Sequence, residues 1–209
     1  MTFEPFDWNV VIVGYWNRAI LTPAGIGRRL FGLEEGTPVL VEVPMDGLGP
    51  HRVKHNGLTV IAETGRLVVH TDASEYDFLD RARQAAVLAI KSLPETPLSA
   101  VGFNVRVRIK EPTDKLLTLL TAGVDNSLSD ADFKIQSRSL RRRLLFQRGV
   151  LNLEMEHDEN FRVVLNFERQ SSKKNDLIEW LRIPIIEIED VVANVFEKVL
   201  IIESEGFGR

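Results

Sequence analysis

Residues 100–110 read AVGFNVRVRIK, and from Phe103 onward this stretch alternates strictly between two kinds of side chain. Because successive side chains of a β-strand point to opposite faces, the pattern predicts a long strand with one buried apolar face. The second face carries three positive charges, so it contacts either water or an acidic partner. The apolar positions are Phe103, Val105, Val107 and Ile109, and the polar positions are Asn104, Arg106, Arg108 and Lys110.

Four shorter strand candidates precede this stretch, separated by turn residues. The separator Asn56-Gly57 is the strongest short hairpin signal, so we expect an antiparallel meander with a tight register. Upstream of it, Trp8 to Trp16 predicts a strand buried on both faces, and Thr22-Pro23 predicts the start of a short helix that ends at Gly32. The four candidates are Pro38 to Val43, His51 to His55, Leu58 to Glu63 and Arg66 to Thr71.

The clearest helix signal lies between the meander and the long strand. Apolar residues recur at helical spacing from Glu75 to Leu93, with Ser74 as the predicted N-cap and Pro94 as the stop. After the long strand, we expect a short helix from Pro112 to Leu120 and then three strands and a closing helix. These last elements are Phe133 to Gln147, Val150 to Glu156, Phe161 to Arg169 and a helix from about Glu187 to Ile202.

The order of predicted elements repeats. The first half is β-α-β-β-β-β-α and the second is β-α-β-β-β-α, which suggests an internal duplication with pseudo-repeats 1–93 and 98–205 inside one compact domain, 1–209. This order resembles the fold of the TATA-binding-protein type, in which two such halves form one curved antiparallel sheet. The resemblance implies an α+β fold with long helices packed on one face of the sheet. It covers topology alone and implies no function.

Composition limits the function classes. The 209 residues include no cysteine, which excludes disulfides and thiolate chemistry and favours a reducing compartment, so we expect a cytoplasmic protein. No apolar run approaches the roughly 20 residues needed to cross a bilayer, and residues 1–7 lack the basic start of a secretory signal. The net charge of -4 disfavours a dedicated nucleic-acid binder unless the positive charge is concentrated locally.

Local motifs predict no catalytic, cofactor-binding or metal-binding residue. His51 and His55 lie four apart on a predicted strand, roughly 13 Å from each other, which is too far for one metal ion. His70 lies near Asp72, as general acid-base catalysis requires, but such pairs are common on solvated loops. Gly25-Ile-Gly27 lacks the third glycine of a dinucleotide-binding turn. The motifs therefore favour a non-catalytic protein, and an enzyme is a third alternative that would need distant residues to converge in the fold.

The second half carries the densest positive charge. These residues predict an anion or nucleic-acid patch, because cations that neutralise phosphates release counterions. Glutamates on neighbouring strands, such as Glu154 and Glu156, favour a different arrangement in which opposite charges pair across the sheet. The patch candidates are Arg106, Arg108, Lys110, Arg138, Arg141, Arg142, Arg143 and Arg148.

The first half is apolar on both faces of its strands. A monomer rarely exposes a broad apolar surface, so either another part of the chain or a second subunit must cover one face. The apolar stretch around Pro184 is a candidate cover or a part of an interface. The candidate interface residues are Val11, Val13, Tyr15, Ile61, Trp180, Ile183 and Ile185.

Two functions follow from these surfaces. The first is a non-catalytic interaction or scaffold protein that self-associates and belongs to a larger bacterial system. The alternative is a nucleic-acid-binding module that uses the basic patch of the second half.

Overall fold

The computed structural model describes residues 2–45 and 49–200. These residues form six α-helices and one antiparallel sheet of ten strands, which confirms the α+β class. The strands are β1 (Thr2–Pro5), β2 (Asn9–Gly14), β3 (Leu40–Glu42), β4 (Arg52–His55), β5 (Leu58–Ala62), β6 (Arg66–Thr71), β7 (Leu98–Lys110), β8 (Arg138–Phe146), β9 (Gly149–His157) and β10 (Phe161–Gln170). The helices are α1 (Pro23–Leu30), α2 (Tyr76–Ser92), α3 (Asp114–Thr118), α4 (Val124–Asp130), α5 (Lys174–Leu181) and α6 (Ile185–Asn194), and α6 continues as a π-helical turn, Val195–Val199.

The sheet has the order β3-β4-β5-β6-β2-β7-β10-β9-β8, with β1 paired to the far end of β7. The strands β2 and β7 meet at the centre and run antiparallel. In the first half, β2 lies at this junction, and β6, β5, β4 and β3 follow outward. In the second half, β7 lies at the junction, and β10, β9 and β8 follow outward. The outer strands of both halves are therefore in reverse chain order. This shared order does not establish a duplication, and the resemblance to the TATA-binding-protein fold stays a prediction. Its second repeat also extends beyond residue 200, outside the described residues.

Local sequence explains most of the boundaries. Thr22 caps α1 by accepting a hydrogen bond from the Gly25 amide at 3.1 Å, and Pro23 takes the first helical position, as predicted. The β4–β5 hairpin turns at Asn56 and Gly57, whose φ angles of 46° and 75° lie in the left-handed region that this turn requires. The predicted meander is thus confirmed.

Several boundaries differ from expectation. Ser74 is not the N-cap of α2, because the backbone is still extended at Glu75, which occupies that position without a side-chain cap bond. The strand expected from Phe133 begins only at Arg138, since the Phe133 amide bonds back to the Leu128 carbonyl at the end of α4. The closing helix begins at Ile185.

Three elements, β1, α4 and α5, are additions to the predicted order. The expected end of the closing helix at Ile202 lies outside the described residues. The apolar stretch around Pro184 is mostly helical, because α5 ends at Leu181 and α6 begins at Ile185, and the connector between them is short, with Pro184 as the N-cap of α6.

The core lies between one face of the sheet and the helices. Phe103 on β7 is fully buried there, with the Arg83 guanidinium of α2 over its ring and the Trp180 ring of α5 beside it. The residues of β7 that share its face are buried as well, which confirms that the helices pack on one side. We call the opposite side of the sheet the open face. No helix within residues 2–45 and 49–200 is long and apolar enough to span a membrane.

Candidate interaction surface on the open face

Strand register arranges the side chains of the open face into rows. One row crosses β5, β6 and β2 through Ile61, Val68 and Val11, which are cross-strand neighbours. Val13 follows Val11 on this face of β2 and is 40% exposed, and Tyr15, directly after β2, is 71% exposed. We call these five residues the apolar patch. It is a set of β-branched and aromatic side chains on the side of the sheet away from the core.

A row of amides crosses the centre of the open face. Asn104 on β7 donates to Asn9 on β2 at 2.8 Å and accepts from Asn166 on β10 at 2.8 Å. Asn166 in turn accepts from Asn152 on β9 at 2.9 Å. We call these four residues the asparagine row. Asn9 and Asn104 are buried although no helix among residues 2–45 and 49–200 packs over them, and their bonded amides form a polar contact between β2 and β7.

Rows of paired charges occupy the rest of the second half. Arg141 on β8 bonds Glu154 on β9 at 2.7 Å, and Arg162 on β10 contacts Glu156 on β9 at 3.1 Å. These pairs are cross-strand neighbours, so the sheet carries the expected ladder of opposite charges.

The strand β1 and the loop after it supply carboxylates to β7. Asp7 contacts Arg106 at 2.6 Å, and Glu4 contacts both Arg108, at 3.6 Å, and Lys110. The hydrogen bond from Lys110 is the main reason that the pKa of Glu4 lies below its ordinary value. The three basic residues of β7 therefore contact carboxylates of this chain.

The predicted basic patch is divided between different surfaces. Arg141 and Arg143 share the open face with the basic residues of β7. Arg138 and Arg142 occupy alternate positions and face the helix side, where Arg138 bonds Asp125 of α4 at 2.7 Å. Arg148 lies in the β8–β9 turn, 3.6 Å from Glu179 of α5. The strand pleat thus separates arginines that are adjacent in sequence.

The predicted interface residues are also divided. Val11, Val13, Tyr15 and Ile61 form the apolar patch with Val68. Trp180 and Ile183 are buried in the core, 3% and 7% exposed, and Ile185 packs against the core at the start of α6. The segment around Pro184 therefore contributes to the core on the helix side, and the open face gains no cover from it.

The histidines contact other residues than those suggested by their spacing in the sequence. His70 contacts Asp7 at 2.8 Å between Nδ1 and Oδ1, whereas Asp72 accepts from the Thr59 hydroxyl at 3.1 Å. His55 lies beside the Phe31 ring, with ring centroids 5.3 Å apart. Within the described parts of the chain, no three histidine or acidic side chains group in a way that could hold a metal ion.

The asparagine row was not predicted as a unit. Its contacts join residues 95, 62 and 14 positions apart, so strand register alone assembles it. A signal was present nonetheless, because asparagine is disfavoured in strands and each of the four strands carries one on its open face.

No protein-family model matches the chain, and no curated protein matches its sequence significantly.

Proposed function

We propose that this chain is a non-catalytic interaction protein that associates with a second copy of itself through the open face. The apolar patch is the observation that carries the proposal. Val13 and Tyr15 expose apolar area beside Val11 and Ile61, and apolar groups that cluster on the surface of a folded chain mark interaction sites. Tyrosine is also enriched among the residues that dominate binding energies.

The size of the open face suits such an interface. Nine strands at a spacing of about 4.8 Å make a surface about 38 Å wide, and strands that average about seven residues make it about 24 Å deep. The planar area is then about 900 Å², comparable with the roughly 800 Å² of accessible surface that one partner contributes to a stable interface of standard size.

The charges of the open face favour a second copy over a strongly charged partner. The basic residues of β7 and the arginines Arg141 and Arg162 contact carboxylates of the same chain. The face therefore has no large excess of one sign, and two copies can approach without strong repulsion. The apolar patch then supplies the favourable contact area.

A fluorescent label tests the location of the contact, and the chain has no cysteine to interfere. Ala100→Cys carries an environment-sensitive dye beside the patch, because Ala100 is the cross-strand neighbour of Val13, and Ile186→Cys carries it at an exposed site on α6 as the control. We expect the emission at position 100 to shift to the blue as the concentration rises from about 1 to about 100 μM, because association removes water from the dye. A shift at both positions, or at neither, would contradict the proposal.

Nucleic-acid binding has less support from the same geometry. The pairing of the β7 cations with Glu4 and Asp7, and the division of Arg141 and Arg142 between two faces, leave no continuous row of free positive charge among the described strands. An affinity for DNA or RNA that falls with salt and is lost in the triple variant R141A/R142A/R143A would favour this alternative.

A further inference from the structure

Arg83 of α2 is a buried charge that lacks a full set of partners. The residue is 3% exposed, and its guanidinium lies over the Phe103 ring, 5.5 Å from the centroid. Its Nη2 donates to Oδ1 of Asp80 at 2.9 Å, but Nε and Nη1 have no hydrogen-bond acceptor among the described residues. Buried polar groups in native proteins are nearly always bonded, so two nitrogen atoms without an acceptor on one buried cation need an explanation.

A cavity of about 410 Å³ lies beside this residue, between α2 and the end of α5. Its volume falls in the range of small-molecule sites. The walls include three cations, Arg83, Lys91 and Arg182, and neither Lys91 nor Arg182 forms an ion pair within the described part of the chain. The cavity is thus locally positive in a chain whose net charge is negative.

The carboxylate in the cavity wall does not neutralise these charges. Asp80 bonds Arg83 through Oδ1 and accepts from the Gln84 amide through Oδ2 at 2.7 Å. Both of its oxygens are therefore engaged, and one negative charge faces three positive ones. Burial lowers the pKa of Arg83, an effect that Asp80 only partly opposes, which agrees with a cation that lacks compensation.

Apolar side chains complete the cavity. Val87 and Leu88 of α2 and Leu181 of α5 line it together with the cations. A guanidinium is the side chain best suited to carboxylate and phosphate groups, and the apolar wall suits hydrocarbon. We infer that this cavity is a binding site for a small organic anion, a carboxylate or phosphate attached to an apolar body, with Arg83 as the main anchor.

The test measures binding of three probes by isothermal titration calorimetry. Octanoate and octyl phosphate carry the two anionic head groups, and 1-octanol carries the same chain without charge. We expect saturable binding of at least one anion and none of the alcohol, and the tighter anion identifies the head group. Binding of octanol as tight as that of both anions, or binding of none of the three, would overturn the inference.

Variants of the cationic wall locate the site. R83M keeps the length of the side chain and removes its charge, and we expect the anion to bind at least about tenfold more weakly. The exposed pair K91A/R182A should weaken binding by about the same factor and serves also if R83M does not fold. The control K115A/K134A removes two charges that do not line the cavity and should leave the affinity unchanged. Affinities unaffected by both R83M and K91A/R182A would reject the site.

Discussion

Asn104 donates from Nδ2 to Oδ1 of Asn9 over 2.8 Å, and this bond joins the innermost strands of the two halves of the sheet. Both residues are buried on a face that no helix of the described part of the chain covers. The junction is polar at this pair, whereas further along β2 the patch residues Val11 and Val13 lie opposite Gly102 and Ala100.

The asparagine row should contribute measurably to stability. Asn104→Ala removes the donor to Asn9 and the acceptor for Asn166, so the buried amide of Asn9 and the half-buried amide of Asn166 each lose a partner. We expect a loss of about 2 kcal/mol in the free energy of unfolding, measured by urea denaturation. Asn126→Ala, at an exposed position of α4, is the control and should change stability by less than about 0.5 kcal/mol. Equal effects of the two variants would show that the row is not a structural unit.

The β8–β9 turn depends on a close approach at Gly149. A Cβ atom at this position would lie 2.3 Å from the Glu168 carbonyl oxygen and 2.7 Å from the Trp180 ring. We expect Gly149→Ala to reduce the free energy of unfolding by at least about 2 kcal/mol, because neither the backbone of β10 nor the buried indole can move away freely. Gly65→Ala is the control, since a Cβ atom there meets nothing within 4 Å. A neutral Gly149→Ala variant would contradict this packing.

The contact between Glu4 of β1 and Lys110 of β7 should weaken at low pH. The pKa of Glu4 is lowered, chiefly by the Lys110 hydrogen bond. The contact therefore stabilises the fold at pH values above the ordinary pKa of a glutamate. This stabilisation is lost as the pH falls through the lowered pKa of Glu4. In Lys110→Met we expect the pKa of Glu4 to rise towards the ordinary value of a glutamate, as measured by NMR titration of its carboxyl carbon. Lys115→Met is the matched control. An unchanged Glu4 pKa in Lys110→Met would show that Lys110 is not the cause.

The sequence predicted the local elements well where a pattern repeats within one element. Alternation identified β7, the Asn56-Gly57 pair identified the β4–β5 hairpin, and helical spacing identified α2. It missed β1, which has four residues and ends at Pro5, and α5, whose first turn is polar and has no side-chain cap. Such short elements form because tertiary contacts stabilise them, and a local pattern does not contain those contacts.

The surface was predictable only in part. The apolar residues of β2 and β5 could be identified from composition, but the face to which each side chain points depends on register. Successive residues of a strand point to opposite sides of the sheet, so Arg142 and Arg143 lie on opposite faces. A shift of one residue in the register would exchange their faces. The asparagine row and the Arg83 cavity depend on contacts between distant elements, and these appear only in the folded chain.

Sedimentation velocity tests the central claim, self-association through the open face, most directly. We predict that the unmodified chain forms a reversible dimer between about 1 and about 100 μM and that V13E/Y15A associates at least about tenfold more weakly, because the charge and the lost ring disrupt the apolar patch. The control I186E places the same charge on an exposed residue of α6 and should associate like the unmodified chain. A monomer at every concentration, or a V13E/Y15A variant that associates as tightly as the unmodified chain, would contradict the account.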